Sequence, residues 1–309
     1  MKKAATIVSI ISMCVAVTVL LAACSSSNQK WVESLVKVIE SDDAAKAAEQ
    51  VGQMLDERQN YDLNEDTGWS FFADGMLGPT PLQAACEQGN FDIVRQLVEH
   101  GADVNYVGGN GDGPPLNCAV TADQSKDRIK IITFLLDKGA DANKKVDYGV
   151  SPGLPVETAA LFGTAIEKKG LDYYSEEKAA ESLKLVKLLL EQTEITEKNK
   201  DAIYGNMLCN AVYSGNEQLV HYLVEEVAVD INTKDECDMS PLFYCYNDPE
   251  KKGFPKKAIF DYLVEKGIDL FYVDEEGETA YDYIHGYIKD EEAASWLKKA
   301  MEDAGKQSR

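Results

Sequence analysis

The residues able to do chemistry are few and scattered. His100, His221 and His285 are the only histidines, and none lies within four residues of another, so histidine-built zinc sites and Ser-His-Asp triads lack material. Asp62-x-Asn64-x-Asp66 has the spacing that opens a calcium loop, but the glycine falls at Gly68, one place late, and the twelfth position is Ala73 where a bidentate Glu is needed. Gly108-Gly109-Asn110-Gly111-Asp112-Gly113 is rich in glycine, yet no Lys-Ser or Lys-Thr follows to hold a phosphate. Cys237 and Cys245 stand eight apart without a second pair or a nearby histidine, which argues against zinc. With 53 acidic residues, no Asp–Glu pair stands out as a general acid and base. The expectation is a non-enzymatic chain with no catalytic residues, no cofactor and no metal. A competing enzyme reading places a site in two inserted segments, 164–181 and 247–257, rich in Lys, Glu, Asp and Tyr; both read as solvated loops.

The 309 residues are 45% apolar, enough for a sizeable core. The net charge of −22 opposes the phosphate neutralisation that nucleic-acid binding requires. It favours a protein partner with a basic surface. Among 15 tyrosines, Tyr148, Tyr173, Tyr174, Tyr213, Tyr244 and Tyr246 are of the type that anchors interfaces, or equally packs in a core.

Lys2 and Lys3 precede an apolar run from Ala4 to Ala23, the charged head and apolar body of a secretory signal. A run of this order is also long enough for a retained transmembrane helix. Leu21-Ala22-Ala23-Cys24 resembles the lipobox of bacterial lipoproteins, followed by a polar Ser25-Ser26-Ser27-Asn28 stretch. The resemblance implies cleavage before Cys24 and lipidation of its thiol, hence an extracytoplasmic envelope protein held to a membrane by its acyl chains. Ser25 after the cysteine resembles the outer-membrane pattern of a two-membrane bacterium; in a one-membrane bacterium the same anchor holds the outer face of the cell membrane. Removal of the segment takes away two lysines and no acid, and leaves Cys86, Cys118, Cys209, Cys237 and Cys245. An odd count predicts at least one free thiol.

A repeat fills the remainder. Thr80-Pro81-Leu82-Gln83-Ala84-Ala85-Cys86-Glu87-Gln88-Gly89-Asn90, then Ile93-Val94, Leu97-Val98 and Gly101-Ala102-Asp103-Val104-Asn105, resembles an ankyrin repeat. Thr80 is placed to cap a helix whose first turn tolerates Pro81, Gly89 and Gly101 to end helices, and the Ile93–Val98 spacing to form one apolar stripe. A second copy runs from Pro115 to Asn143, a third starts at Leu154, a fourth runs through Leu208 to Asn232, and a fifth starts at Ser240. Leu82 to Leu116 and Leu208 to Leu242 are both 34 residues. Gly277-Glu278-Thr279-Ala280-Tyr281-Asp282 resembles a terminal repeat, with a charged outer surface from Lys289 to Lys299. Another helical solenoid, such as a tetratricopeptide array, lacks the Gly-Ala-Asp-Val-Asn finger.

The resemblance implies an all-α ankyrin-repeat solenoid of stacked antiparallel helix pairs with β-hairpin-like fingers. The domains are a signal segment at 1–23, a polar tether at 24–30, degenerate capping helices at 31–66 and about five repeats plus a cap at 67–305. It further implies a protein-protein interaction module, and recognition residues at first-helix ends and finger tips. At the helix ends these are Glu87 and Gln88, Leu161 and Phe162, and Tyr213 and Ser214. At the fingers they are Met76 and Leu77, then Glu236 and Met239, then Glu275, Glu276 and Glu278. An immunity protein that sequesters a basic secreted toxin is the alternative function.

Overall fold

A computed structural model describes residues 27–58, 60–67, 78–107, 113–122, 125–146, 153–162, 164–168 and 171–307. The signal segment, Cys24, Met76, Leu77, Tyr148 and the run 108–112 lie outside the described residues. Among the described residues no helix is long and apolar enough to cross a membrane. The chain divides into two compact units, residues 1–140 and 141–309.

The first unit holds three helix pairs. They are α1 (Ser27–Ile39) with α2 (Ala44–Glu57), α3 (Pro81–Glu87) with α4 (Phe91–Glu99), and α5 (Pro115–Thr121) with α6 (Arg128–Asp137). Thr80 caps α3 as expected: its hydroxyl accepts from the Gln83 N–H while the Gln83 side chain accepts from the Thr80 N–H. The amide nitrogen of Gln83 then donates to the Gly113 carbonyl at 2.7 Å, tying this repeat to the next. Ile93, Val94 and Leu97 are buried on α4, as are Ile131, Ile132 and Leu135 on α6. First helices pack on first helices, and second on second. The capping pair begins earlier than predicted. Ser27–Lys30, assigned to the tether, form the first turn of α1, because Asn28 exchanges hydrogen bonds with the Asp62 backbone and Trp31 stacks on Tyr61 at 5.0 Å.

The second unit starts with α7 (Pro155–Leu161) and α8 (Glu176–Leu190), then α9 (Lys200–Tyr213) and α10 (Glu217–Glu225). Next come a single 3₁₀ turn (Pro241–Tyr244) and α11 (Lys256–Glu265), then a cap of α12 (Ala280–Tyr283), a π-turn (Ile284–Ile288) and α13 (Glu291–Gln307). Thr279 and Asp282 form the capping box that the terminal motif predicts. The fifth first-helix is reduced to one turn, since the chain leaves at Cys245 into its insertion. The two insertions are not solvated loops. Residues Ala165–Lys168 (β1) and Leu171–Tyr174 (β2) form an antiparallel hairpin, and Lys251–Lys252 (β3) adds to β2 in parallel. The repeats on either side of the fourth are thus joined to each other.

The Asp-x-Asn closures share one hydrogen-bond design. In each, the Asp carboxylate accepts from the N–H two residues on: Asp62 from Asn64, Asp103 from Asn105, Asp141 from Asn143 and Asp230 from Asn232, all at 2.8–2.9 Å. The Asn side chain reaches the following repeat. Asn64 accepts from Asp103 N–H at 2.8 Å and Asn105 donates to Gly139 at 2.8 Å. Asn143 accepts from Glu194 N–H at 2.6 Å, and Asn232 from Asp269 N–H at 2.7 Å. A buried basic residue also ties helix ends. Arg128, fully buried, donates to the Val120 carbonyl, and Lys256, 3% exposed, donates to Val212, Tyr213 and Tyr244 at 2.6, 2.7 and 3.1 Å. Asn105→Ala and Asn232→Ala are each expected to lower unfolding stability by about 1 kcal/mol with unchanged helix content. Urea titration followed by circular dichroism measures this, and unchanged midpoints would deny the asparagines a strut role.

Candidate functional site

In the second unit, two fingers are built to one plan. Asp235 accepts from the N–H of Cys237 at 2.9 Å and of Met239 at 3.0 Å; Asp274 accepts from Glu276 at 3.0 Å and Glu278 at 2.9 Å. The fourth residue of each turn has positive φ, +58° at Asp238 and +80° at Gly277. Asp238 tolerates this while bonded to Lys234 and to the Tyr272 hydroxyl of the next finger. Behind the first finger, Gly205 on α9 lets the Lys234 carbonyl come so close that a Cβ would sit 1.8 Å from it. The tips therefore project Glu236, Cys237, Glu275 and Glu276 to the exposed side.

Two hollows lie at these fingers. One, of about 390 Å³, is lined by Cys237, Met239, Asp274, Glu275, Glu276, Tyr283 and Tyr287. The other, of about 250 Å³, includes Glu157, Leu161, Asn206, Asp235, Glu236 and Tyr244. Cys237 lines both, which makes them neighbours. The lining combines aromatic and apolar side chains with carboxylates. Tyr287, which lines the larger hollow, is 63% exposed. Among the described residues no group of three His, Cys, Asp or Glu is arranged to hold a metal ion.

Charge in the smaller hollow is unevenly balanced. Lys145 pairs with Glu236 at 2.7 Å and holds its carboxyl below the usual range. Glu157 is 4% exposed; it accepts from Leu154 N–H at 2.6 Å and from the Asn206 amide at 2.8 Å. Burial raises its pKa, against the opposing pull of those hydrogen bonds and of Lys145. Burial, with Asp235 and Glu236 adding to it, likewise raises the Cys237 thiol. Glu278, beside the larger hollow, is pushed up by desolvation and by Asp274, Glu276 and Asp282.

Of the residues singled out from sequence, Leu161, Glu236, Met239, Glu275 and Glu276 line these hollows. Phe162 ends α7, half-buried next to Leu161. Glu87 and Gln88 are exposed at the end of α3 in the other unit. Ser214 is a correction: it is 3% exposed, and its hydroxyl donates to the Ala160 carbonyl at 3.0 Å, so it joins repeats and faces no partner. Tyr213 is covered by the joined insertions, with the Lys251 ammonium 3.9 Å from its ring centre. Glu157, Asn206, Tyr283 and Tyr287 were not singled out. Glu157 had a signal, since it occupies the register of Gln83 on the buried side of its helix.

An acid whose folded pKa is raised binds its proton more tightly when folded, so its ionisation costs stability as pH rises from the unfolded value of 4.5 through the folded one. Glu157→Gln is therefore expected to gain in melting temperature over the native chain as pH rises through the range above 4.5. A difference that stays flat across that range would mean the carboxyl is not perturbed by burial.

Comparison with known proteins gives the same picture of the fold. Residues 43–146 match the family model for ankyrin repeats, in three copies. A segment of 78 residues is 38% identical to alpha-latrocrustotoxin-Lt1a of Latrodectus tredecimguttatus, covering 25% of this chain and 5% of that one. Another of 68 residues is 35% identical to the potassium channel AKT1 of Arabidopsis thaliana, covering 22% of this chain and 7% of that one. The chain thus spans a small fraction of those relatives. The crystal structure of the human ASB11 ankyrin repeat domain superposes with a TM-score of 0.55 at 18% identity, over 85% of this chain and 96% of that chain. Residues 43–146 carry ankyrin repeats, and the fold of the chain is that of an ankyrin-repeat domain.

Proposed function

We propose that the chain is a non-enzymatic protein-binding module, held at a bacterial cell envelope by a lipid on Cys24, whose finger hollows capture a basic segment of a protein partner. The observation that carries the binding reading is the pair of adjoining hollows, lined by apolar and aromatic side chains, Leu161, Met239, Tyr244, Tyr283 and Tyr287, together with the carboxylates of Asp235, Glu236, Asp274, Glu275 and Glu276. Aromatic anchors rimmed by one sign of charge favour an oppositely charged partner, through both encounter rate and specificity. Ankyrin repeats support it further, as a scaffold that displays side chains from a fixed frame. The anchoring reading is supported by the order of charged head, apolar run, Leu21-Ala22-Ala23-Cys24 and polar residues at the N-terminus.

Two experiments separate these parts. Simultaneous reversal of Glu236, Glu275 and Glu276 to Lys is expected to weaken capture of partner from envelope extract at least about tenfold at physiological salt, while Glu40→Lys, at an exposed site after α1, leaves it unchanged. Equal capture by the triple variant would remove the hollows from the reading. Separately, Cys24→Ser is expected to abolish labelling by an alkyne fatty acid and to leave residues 1–23 attached, read as a heavier chain by mass spectrometry. A native chain that takes no label and keeps residues 1–23 would point to an uncleaved helix as the anchor.

A further inference from the structure

The segment between the fifth repeat's single turn and α11 is held differently along its length. Its ends are fixed: Asn247 N–H donates to the Asp290 carboxylate at 2.7 Å, and Lys256 is pinned by three carbonyls. Between them the attachment is slight. β3 is two residues long and its pairing to β2 is parallel, with Asp172 N–H donating to the Glu250 carbonyl at 3.0 Å. Gly253 has a φ of +74°, and an added Cβ there would touch nothing within 4 Å, so the chain turns in open space. What this short stretch covers is aromatic. Lys251 places its ammonium 3.9 Å from the ring centre of Tyr213, itself edge-on to Tyr244 and Tyr246 at 6.1 and 6.5 Å, and Phe254 meets Tyr174 edge-on at 5.6 Å.

We propose that residues 248–253 are a detachable strap, that Lys251 is a tethered stand-in for a basic side chain of a partner, and that the surface beneath takes an extended segment bearing Lys or Arg. The inference rests on the reading of the chain as a protein-binding module but concerns Tyr213 and the edge of β2, which line neither finger hollow; Tyr244 alone borders both surfaces. Its occupant follows from what already sits there. An ammonium over a tyrosine face is a cation–π contact, which any lysine or arginine reproduces. With the strap displaced, the edge of β2 is free to pair with an incoming strand, as in recognition by strand addition. The net charge of −22 favours a basic entrant over an acidic one. As a tethered ligand the strap competes at an effective concentration of about a millimolar, so an outside segment binds only by exceeding it.

The test needs no identified partner, because the strap supplies its own probe. A synthetic peptide of residues 247–253 is titrated by NMR into the full chain and into a variant with residues 248–253 replaced by alternating Gly and Ser. The variant is expected to bind at least about tenfold more tightly, and Tyr213→Ala in that background to abolish binding. Equal affinities, or binding that survives Tyr213→Ala, would overturn the proposal. Peptide binding is expected to be unchanged by reversal of Glu236, Glu275 and Glu276, so the triple variant separates failure here from failure of the finger hollows. Hydrogen exchange in the unaltered chain covers the case of a misfolded variant. The Asp172 amide should exchange at least about tenfold faster than the Asn216 amide, which bonds to Ala211 at 2.9 Å. Equal protection of the two would show that the strap opens only with the whole unit.

Discussion

Every feature described depends on one constraint: a pair of helices two to three turns long has more apolar surface than it can cover by itself. Leu82, Ala84, Ala85, Cys86, Ile93, Val94 and Leu97 are almost wholly buried only because adjacent pairs close over them. Apolar contact alone would leave the spacing between layers loosely set, since it has little directional preference. Direction comes from side chains that cross between repeats: Gln83 to Gly113, the asparagines of the Asp-x-Asn closures, and Ser214 to Ala160. Hydrogen bonds of this kind add little net stability each but fix register, because a shift by one residue would leave several buried groups without partners.

That register is what gives the fingers their functional shape. The carboxylates of Asp235 and Asp274 point inward, occupied with backbone N–H groups, and the neighbouring Glu236, Glu275 and Glu276 are left outward. One acid per finger therefore builds the turn while the others decorate it. The Tyr272 hydroxyl, bonded to Asp238, sets the distance between the two turns. The site is thus preorganised by local backbone bonds, and binding has little ordering left to do.

Much of this was legible from residue types. Thr80-Pro81, the helix-ending glycines and Asp-x-Asn each have a local physical meaning, and the structure places them accordingly. The terminal Thr279–Asp282 box was readable for the same reason. Long-range pairing was not. β1 and β2 are four residues each, without clean alternation of apolar and polar side chains, and the third strand comes from a different repeat. Ser214 lies at a helix end that would face outward in isolation, and only the neighbouring repeat buries it. The hollows were half legible: the finger acids follow from position in the repeat, but Tyr283 and Tyr287 come from the cap, whose π-turn the sequence does not announce.

The thiols carry a consequence for life outside the cytoplasm, where the proposed anchor would hold the chain. Among the described residues, Cys86, Cys118, Cys209, Cys237 and Cys245 form no disulfide. Burial pushes Cys245 up to about 12 and raises Cys86 and Cys209 as well, and acidic neighbours add to burial at Cys237. The thiolate is the form that attacks disulfides and reacts with oxidants, so burial, and acidic neighbours at Cys237, lower the reactive fraction of these thiols. The described repeats are held by packing and by hydrogen bonds that cross between them, with no disulfide among the described residues.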